Sequence, residues 1–532
     1  MDFNGRTFWK HPTGKGLKVK VPVAGESLPQ GPQNAIPQSN PKALNQHHVS
    51  PSSPIVPPST LECLRTKIRS FLGGQGPRSS PLSASKMSKT PSSTSTSTSA
   101  LLPPSTKMSS GVSFQTQGRH WRIGRTWYDF STFDHPGGSE ILYLARDRFS
   151  DSTYAFESHH MDQEKARKII KKYAVGEELQ KELERLNPTP APKLTKPGDF
   201  YYDLRLRVLA MFREKSSKAG NSRGKKVDVG PTPLCLNLFY ASFLVWVCAV
   251  YNTLYVNPSV VSAVLQGVAG AVLGAFGHNW IHQPKYKFYA LLSLDTIGFS
   301  STGWYREHIL QHHMYTNTPL DNHFRGTDPF LITDPTVPRN FFQKYVTPIL
   351  NPVILTFGLW GNYGFHLGEV LKGNEPVSIG KLFLPTLVYL FYSTLGVYGL
   401  GLFWLNTATT SIYYFTMALM NHNSENTLNV KTRNEAKDWG EAQISSCADW
   451  SIQGKFLPSI IYLWLNYHCV HHLFPLTDFS HHRDIQGILM ETCRDHGVEY
   501  VAGEFWTIYK EMVESFSSPR SLFMEINCYN GS

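Results

Sequence analysis

The sequence predicts a multidomain protein in which a disordered N-terminal region and a small α+β domain precede an all-α membrane domain. Serine and threonine make up 18 of the 32 residues from 79 to 110, and this composition buries too little apolar surface to fold. Two stretches, 229–284 and 382–424, contain no Asp, Glu, Lys or Arg. Histidine clusters lie at or soon after the end of each stretch, which predicts about four transmembrane helices under a histidine-rich cytosolic cap.

The N-terminal region, residues 1–110, is predicted to be a solvated leader. Residues 1–22 contain four lysines and no apolar run, so they do not form a secretory signal peptide. A phosphorylated tail or an organelle address remains an alternative, and its only support is the Ser/Thr-rich, acid-poor composition.

Charge and cysteine usage restrict the class of partner. A net charge of +11 and a pI near 9.1 favour surfaces that face acidic headgroups or an acidic partner. There is no Arg-rich reading element, and the aromatic content of 13% is typical of a membrane protein, so nucleic acid is not a predicted partner. Seven cysteines without a CxxC pair indicate reduced thiols in a protein that faces the cytosol.

Eight histidines form three clusters with helical spacing. The members are His278 and His282, then His308, His312 and His313, then His468, His471 and His472. Residues at i and i+4 share a helix face, so His278/His282 and His308/His312 are each predicted to aim at one point, as is the i+3 pair His468/His471. The other histidine of each doublet turns toward a second point. Two such points suit a pair of transition-metal ions, and imidazole suits iron, copper or zinc.

The three clusters read HxxxH, HxxxHH and HxxHH, and in this order they resemble the membrane fatty-acid desaturase and hydroxylase superfamily. The resemblance runs from about Asp199 to about Val501. A zinc peptidase is the weaker alternative, because its HExxH helix needs a glutamate that residues 279–281 do not supply. Since no carboxylate ligands are evident, the chain does not match the soluble Glu-x-x-His bundle type.

A ninth histidine, His422, is predicted to close the last span on the same face as the clusters. The superfamily places an extra ligand between its second and third boxes, so the resemblance implies that His422 joins the other eight in holding two non-haem iron ions. The alternative is a helix-terminal histidine bonded to a carbonyl. Four further histidines match no box and are predicted to be surface groups or supports of the ligands, namely His323, His366, His481 and His482.

A second group of motifs precedes the membrane domain. Trp127–Phe130 reads WYDF, His135–Gly138 reads HPGG and Phe156–His160 reads FESHH. These motifs resemble cytochrome b5 over roughly residues 112–180. The resemblance implies a b-type haem with His135 and His160 as axial ligands. His159 is the alternative to His160, because the stretch 146–150 is longer than the usual loop of that family.

Domain boundaries and spans follow from these patterns. The predicted divisions are a leader 1–110, a cytochrome b5-like domain 111–180, a linker with an interfacial helix 181–228, a membrane desaturase domain 229–510 and a C-terminal tail 511–532. The predicted interfacial helix is Phe200–Phe212. The predicted spans are Leu234–Val256, Val260–Gly277 and a pair within 382–424 that divides near Trp404–Thr410.

A further apolar stretch, Phe341–Leu367, is predicted to be interfacial or re-entrant. A full crossing there would place the third cluster on the opposite side of the membrane from the other two, so only an even number of crossings assembles one site. The basic residues before the first span and the uncharged hairpin tips predict that this site faces the cytosol.

The resemblance implies an oxygen-dependent di-iron desaturase that acts on a long acyl chain carried by a lipid or by CoA. Its electrons would come from NADH through cytochrome b5 reductase and the fused haem domain, in a multi-pass protein of the endoplasmic reticulum with haem domain and active site facing the cytosol. Front-end desaturases usually carry Gln where this chain has His468, so a saturated-acyl desaturase, a sphingolipid desaturase and a fatty-acyl hydroxylase stay open. An alternative of another class is a membrane-tethered electron carrier with an inactive desaturase half.

Overall fold

The structure is a computed structural model that describes residues 7–9, 17–19, 119–148, 151–189, 192, 194–218, 227–424, 426–429, 433–453 and 456–517. The predicted leader, 1–110, lies outside the described residues apart from β1 (Thr7–Trp9) and β2 (Leu17–Val19), which pair antiparallel. The predicted tail beyond Ser517 also lies outside them.

The domain that carries HPGG is a small α+β unit. Strands β3 (Trp121–Ile123) and β4 (Thr126–Tyr128) pair antiparallel. Four helices follow: α1 (Ser139–Arg148), α2 (Thr153–His159), α3 (Gln163–Ile170) and α4 (Glu177–Leu186). Buried aromatic side chains form its core, with Trp121, Phe130 and Phe156 each less than 5% exposed.

Helix α4, which extends past the predicted boundary at residue 180, packs against this unit. The amide of Trp127 donates to Gln180 Oε1 at 2.9 Å, and the guanidinium of Arg122 pairs with Glu184 at 2.5 Å. Leu183 is only 4% exposed, so this helix has one buried face although most of its residues are charged or polar.

Helix α5 (Phe200–Lys218) is also placed differently from the prediction of a membrane-surface helix. Its apolar residues recur at helical spacing and are buried against protein, in a cluster with Trp439 and Leu473. The hydroxyl of Tyr201 donates to the Leu473 carbonyl at 2.5 Å. A Cβ on Gly440 would lie 2.6 Å from Tyr201, so glycine there permits the close approach.

Two apolar helices start the membrane domain. Helix α6 (Pro233–Tyr251) continues as a π-turn to Val256, and α7 (Val260–Trp280) begins at an N-cap on Ser259. At 1.5 Å per residue α7 is about 31 Å long, enough to cross the hydrocarbon core. By length and hydropathy, three helical stretches among the described residues could cross a membrane: Pro233–Val256, Val260–Trp280 and Ile379–Met420.

The third stretch is a helical hairpin. Helix α14 (Phe383–Met420) contains a non-helical residue, Gly396, at φ +62° and ψ −145°. The rings of Phe391 and Phe403 lie 5.2 Å apart, whereas a straight helix would separate twelve residues by about 18 Å. The chain therefore reverses at Gly396 and not at the predicted Trp404–Thr410, because glycine tolerates the left-handed φ that the reversal requires.

The second half of α14 packs along α7 in the same direction. A Cβ on Gly267 would lie 2.6 Å from the Asn406 carbonyl oxygen, and one on Gly270 would lie 2.9 Å from Thr410 Oγ1. Small residues at helical spacing thus let the two backbones approach closely, as in membrane helix pairs. Both helices end at the histidine-rich cap.

The apolar stretch after residue 340 is broken into α11 (Phe341–Tyr345), α12 (Asn351–Leu355) and α13 (Gly358–Leu371). This segment runs away from the cap along α14, where the Ser411 hydroxyl donates to the Leu355 carbonyl at 2.5 Å. It then returns to the cap, where Glu375 accepts a hydrogen bond from Ser300 at 3.1 Å. Both ends lie on the cap side, which is the geometry of a re-entrant segment.

The cap is built from short helices between and after the apolar ones. These are α8 (Lys287–Thr296), α9 (Ser301–Glu307), α10 (His313–Tyr315), α15 (Trp439–Ser445), α16 (His468–Leu473), α17 (His482–His496) and α18 (Phe505–Ser517). Strands β5 (Asp449–Trp450) and β6 (Ala502–Gly503) pair parallel beside them. Helix α18 runs past the predicted domain end at residue 510 to Ser517, and its Met512 and Phe516 are fully buried.

Candidate metal centre

Three different local structures present the three histidine clusters. His278 lies in the last turn of α7 and His282 just beyond it. Residues His308–His312 form a π-turn between α9 and α10. His468 begins α16, and His471 lies one turn later. All nine predicted ligands are buried, with none more than 9% exposed.

The structure brings eight of these nine imidazoles together in two groups of four. Group one contains His282, His308, His313 and His471, and group two contains His312, His422, His468 and His472. Within each group one ring nitrogen from every member lies within 4.8 Å of the others. The two groups adjoin, since the rings of His313 and His472 stack at 4.2 Å.

His278 stands beside group one without being a member of it. Its Nε2 lies 2.8 Å from His471 Nε2, and its Nδ1 lies 2.8 Å from the Tyr414 hydroxyl. His278 is thus held between a cap histidine and the second half of α14. His282 is a member of group one, and His278 contacts that group through His471.

The second cluster contributes to both groups of four, although the predicted pair His308 and His312 also comes together in a third group with His323. His308 joins His313 in group one, while His312 turns to group two. The π-turn explains this, because the His313 amide donates to the His308 carbonyl and a five-residue turn places these two rings on one face. In α16 the i+4 residues His468 and His472 share group two, and His471 turns away to group one.

Three of the four rings of group two are oriented from outside by oxygen acceptors. His422 Nδ1 lies 3.0 Å from the Ser446 carbonyl, His312 Nδ1 lies 3.0 Å from the Asp321 carboxylate, and His472 Nδ1 lies 3.1 Å from Gln443 Oε1. These oxygens accept, so each Nδ1 carries the proton and each Nε2 keeps its lone pair. Outer oxygens of this kind are what metal-binding histidines use to fix their tautomer.

The geometry fits a cation better than a hydrogen-bonded core. His468 Nε2 lies 2.9 Å from His422 Nε2 and 3.1 Å from His472 Nε2, both of which carry lone pairs. Buried polar nitrogens without donors are costly, and a metal ion removes that cost. In group one, both ring nitrogens of His282 are buried without a hydrogen-bond partner among the described residues.

Burial also keeps these rings in the form that binds metal. Desolvation lowers the pKa of His422 to about 3, and it lowers the pKa of His471 and His472 well below the ordinary value. They are therefore neutral at physiological pH. Burial alone would raise the pKa of Asp321, but His312 lowers it to about 2, so this carboxylate stays ionised.

The sequence did not single out the groups that orient the ligands. Asp321, Gln443 and Tyr414 lie in no motif, although an aspartate nine residues after His312 is a weak signal. His323 packs its ring 4.7 Å from His312, and His366 is 2% exposed and bonded to Glu375, so neither is the surface group that the prediction allowed.

The second predicted site lies in the α+β unit. The rings of His135 and His160 lie close together, with centroids 6.0 Å apart and an edge-on interplanar angle of 74°. His160 Nδ1 lies 3.0 Å from the Phe156 carbonyl, which leaves its Nε2 lone pair for a ligand. The His159 ring points elsewhere and lies 5.8 Å from that of His282.

Comparisons with known proteins agree with these motifs. A model of the fatty acid desaturase family matches residues 237–503, just over half of the chain. The chain is 25% identical to a cytochrome b5-related protein of Drosophila melanogaster, over 75% of this chain and 89% of the relative. It is 27% identical to an acyl-lipid (8-3)-desaturase of Mortierella alpina, over 73% and 90% of the two chains. It is 28% identical to another acyl-lipid (8-3)-desaturase, from Physcomitrium patens, over 71% and 84%.

Proposed function

Because this chain belongs to the fatty acid desaturase family, we propose that it is a membrane enzyme that introduces a cis double bond into a long acyl chain. The observation that carries the proposal is the convergence of histidines from three distant segments into two adjoining groups of four. An idle scaffold would not need eight buried imidazoles with inward-facing lone pairs.

The residues that would hold two non-haem iron ions are the four histidines of each group, with His278 beside group one. Iron bound there would use dioxygen and two electrons to remove hydrogen from an unactivated C–H bond. The chain itself contributes ligand orientation through Asp321, Gln443 and the Ser446 carbonyl. It also excludes water, because all these rings lie beneath the cap helices.

His135 and His160 would hold a b-type haem between their rings. The haem would accept and pass on single electrons, with NADH and cytochrome b5 reductase as the external source. The similarity to a cytochrome b5-related protein and the ring geometry support this assignment. His160, rather than His159, is the residue whose ring lies close to that of His135.

The proposed topology has four crossings: α6, α7 and the two halves of α14 on either side of Gly396. The segment of α11 to α13 enters and leaves on the cap side. This arrangement puts the haem domain and the metal centre on one side, which we assign to the cytosol in the endoplasmic reticulum membrane.

The proposed substrate is an acyl chain esterified to a membrane lipid. Two relatives are named as acyl-lipid desaturases, and the candidate metal groups lie at the cap ends of apolar helices long enough to cross a membrane. Acyl-CoA is the alternative carrier. Both of those relatives are named as (8-3)-desaturases, but this chain has His468 where front-end desaturases usually carry Gln, so no double-bond position is proposed.

Expression in yeast with fatty-acid profiling tests the proposal. New unsaturated acyl species should appear with the wild-type chain and be absent with His472→Ala. A hydroxylated acyl product would instead identify a hydroxylase, and a desaturated long-chain base would identify a sphingolipid desaturase. Haem-loaded protein that changes no lipid would favour the electron carrier.

A further inference from the structure

The helix that ends in the FESHH motif touches both candidate sites. Helix α2 ends at His159, and His160 follows it as the C-cap residue with an extended backbone (φ −124°, ψ 96°). The ring of His160 lies close to that of His135, whereas the ring of His159 lies 5.8 Å from that of His282 at an interplanar angle of 35°. The C-terminal end of α2 therefore lies between the His135/His160 pair and group one.

The contact between the two rings is not explained by hydrogen bonding. His159 Nδ1 lies 2.6 Å from the Ser158 hydroxyl, but its Nε2 is buried with no hydrogen-bond partner among the described residues. Both ring nitrogens of His282 are likewise buried without a hydrogen-bond partner among the described residues. A buried imidazole nitrogen without a hydrogen-bond partner costs free energy, so hydrogen bonding does not account for the positions of these two rings.

Several contacts hold α2 against the cap. The Tyr154 ring packs 5.6 Å from Tyr315, which follows the second histidine cluster by two residues. At the other side of α2, the carboxylate of Glu157 pairs with Arg205 of α5 at 2.7 Å, and both side chains are at most 2% exposed. Lys287 of α8 reaches Glu140 of α1 at 2.7 Å. The haem-binding unit is thus docked with α2 facing the metal groups.

We propose that His159 is a positioning residue for electron transfer, whose ring bridges the haem-ligand helix and His282. This inference rests on the proposed function. A haem held by His135 and His160 would give up one electron and be oxidised, and iron held by the two histidine groups would take up that electron and be reduced. No proton or covalent bond moves through His159, and the reductase restores the haem electron from NADH.

This role requires the packing of the His159 ring against His282 and does not require the nitrogen atoms of His159. His159 is outside the two groups of four, and Ser158 already occupies its Nδ1. A phenyl ring fills nearly the same space and keeps the packing against His282. His159→Phe should therefore preserve the bridge, whereas His159→Ala removes it.

Pre-steady-state spectroscopy on the purified full-length holoprotein tests the proposal. The haem is reduced chemically, and its re-oxidation is followed after mixing with oxygen and an oleoyl or linoleoyl phospholipid vesicle. In His159→Ala the rate should fall by about tenfold to a hundredfold, because the bridge is lost. In His159→Phe it should return close to wild type. The haem spectrum and the non-haem iron content should be unchanged in both.

A matched control is His496→Ala, which removes a ring packed 5.8 Å from Phe200 at a distance from the bridge and should leave re-oxidation unchanged. An unchanged rate in His159→Ala overturns the proposal. Loss of the haem spectrum in His159→Ala would make it an axial ligand, and loss of non-haem iron would make it a metal ligand, and either result overturns the bridge as well. Wild-type protein without non-haem iron or oxygen-dependent re-oxidation would defeat the proposed function instead.

Discussion

At the residue scale, the two histidine groups depend on the hydrogen bonds that orient their rings through the outer nitrogens. Asp321 accepts from His312 Nδ1 and, through the same oxygen, from the Asn317 amide at 3.0 Å. Its other oxygen accepts from the His323 amide at 2.9 Å. This one carboxylate therefore fixes both a ligand ring and the loop that follows the second cluster.

Removing the charge of Asp321 should weaken metal binding without unfolding the chain. Asp321→Asn keeps an oxygen acceptor but loses the ionised carboxylate, and losses of about tenfold to a hundredfold in metal affinity are typical for such supports. Competition with a chelator, followed by measurement of retained non-haem iron, checks this. The matched control is Asp484→Asn on the exposed face of α17, which should retain iron like wild type.

Two residues of the third cluster should respond differently to substitution. His468 has a buried Nδ1 without a hydrogen-bond partner among the described residues, whereas His472 is held by Gln443. Glutamine offers a neutral oxygen donor at similar reach and stands at this position in front-end relatives. His468→Gln should keep measurable desaturation, while His472→Ala should lose both desaturation and non-haem iron with the haem intact.

Lipid profiling, together with measurement of non-haem iron and haem, tests the expected difference between His468→Gln and His472→Ala. Equal loss of activity and iron in both variants would make His468 an obligatory ligand and separate the chain from the front-end group. Full activity in His472→Ala would contradict the di-iron interpretation.

The spacing of histidines in the sequence predicted which residues lie near one another, but not how they divide. The i, i+4 rule assumes a regular α-helix, and the π-turn at His308–His312 shifts the register by one residue. Nothing in HILQHH marks that turn. Asp321 lies only nine residues after His312 but in no motif, and Gln443 was not found because the tertiary fold brings it from another segment to His472.

At the scale of elements, α5 shows how an amphipathic pattern can be misread. Alternating apolar and basic residues are typical of a membrane-surface helix, yet here the apolar stripe meets protein and Arg205 is buried on Glu157. Sequence periodicity predicts the buried face of a helix but not what covers it. Likewise, charge-free runs predicted α6 and α7 closely, whereas the reversal at Gly396 had no turn motif to reveal it.

Breaking the buried pair between α2 and α5 should destabilise the protein. Arg205→Met leaves the Glu157 carboxylate without its closest cation, and losing one partner of a buried pair costs about 3 kcal/mol. A lower midpoint of thermal unfolding, followed through the haem absorbance, measures the effect. The exposed pair Lys215–Asp484 provides the control, since Lys215→Met should cost about 0–1 kcal/mol. Equal small shifts in both variants would mean that the buried pair does not anchor α2.

At the scale of the whole molecule, the requirement that three clusters share one side of the membrane governs the topology. The hairpin tips at Asn257 and Gly396 lie together, since the Tyr398 hydroxyl donates to the Pro258 carbonyl at 3.0 Å. Gly373 lies at the opposite end, between α13 and α14 on the cap side.

Reporter tags should therefore separate these two ends. In sealed microsomes, a tag inserted at Asn257 should be protected from added protease, whereas a tag at Gly373 should be cleaved. Each tagged protein must first show a normal haem spectrum, so that folding is controlled. Protection of the Gly373 tag would contradict four crossings and require α11 to α13 to span the bilayer.

The ratio of non-haem iron to haem in the purified full-length protein decides between a desaturase and a tethered electron carrier. Total iron is measured by mass spectrometry and haem iron by its absorbance after extraction. Two non-haem iron atoms per haem are expected, one for each group of four histidines. Protein that binds its haem fully and retains no non-haem iron would contradict the di-iron centre and the function proposed from it.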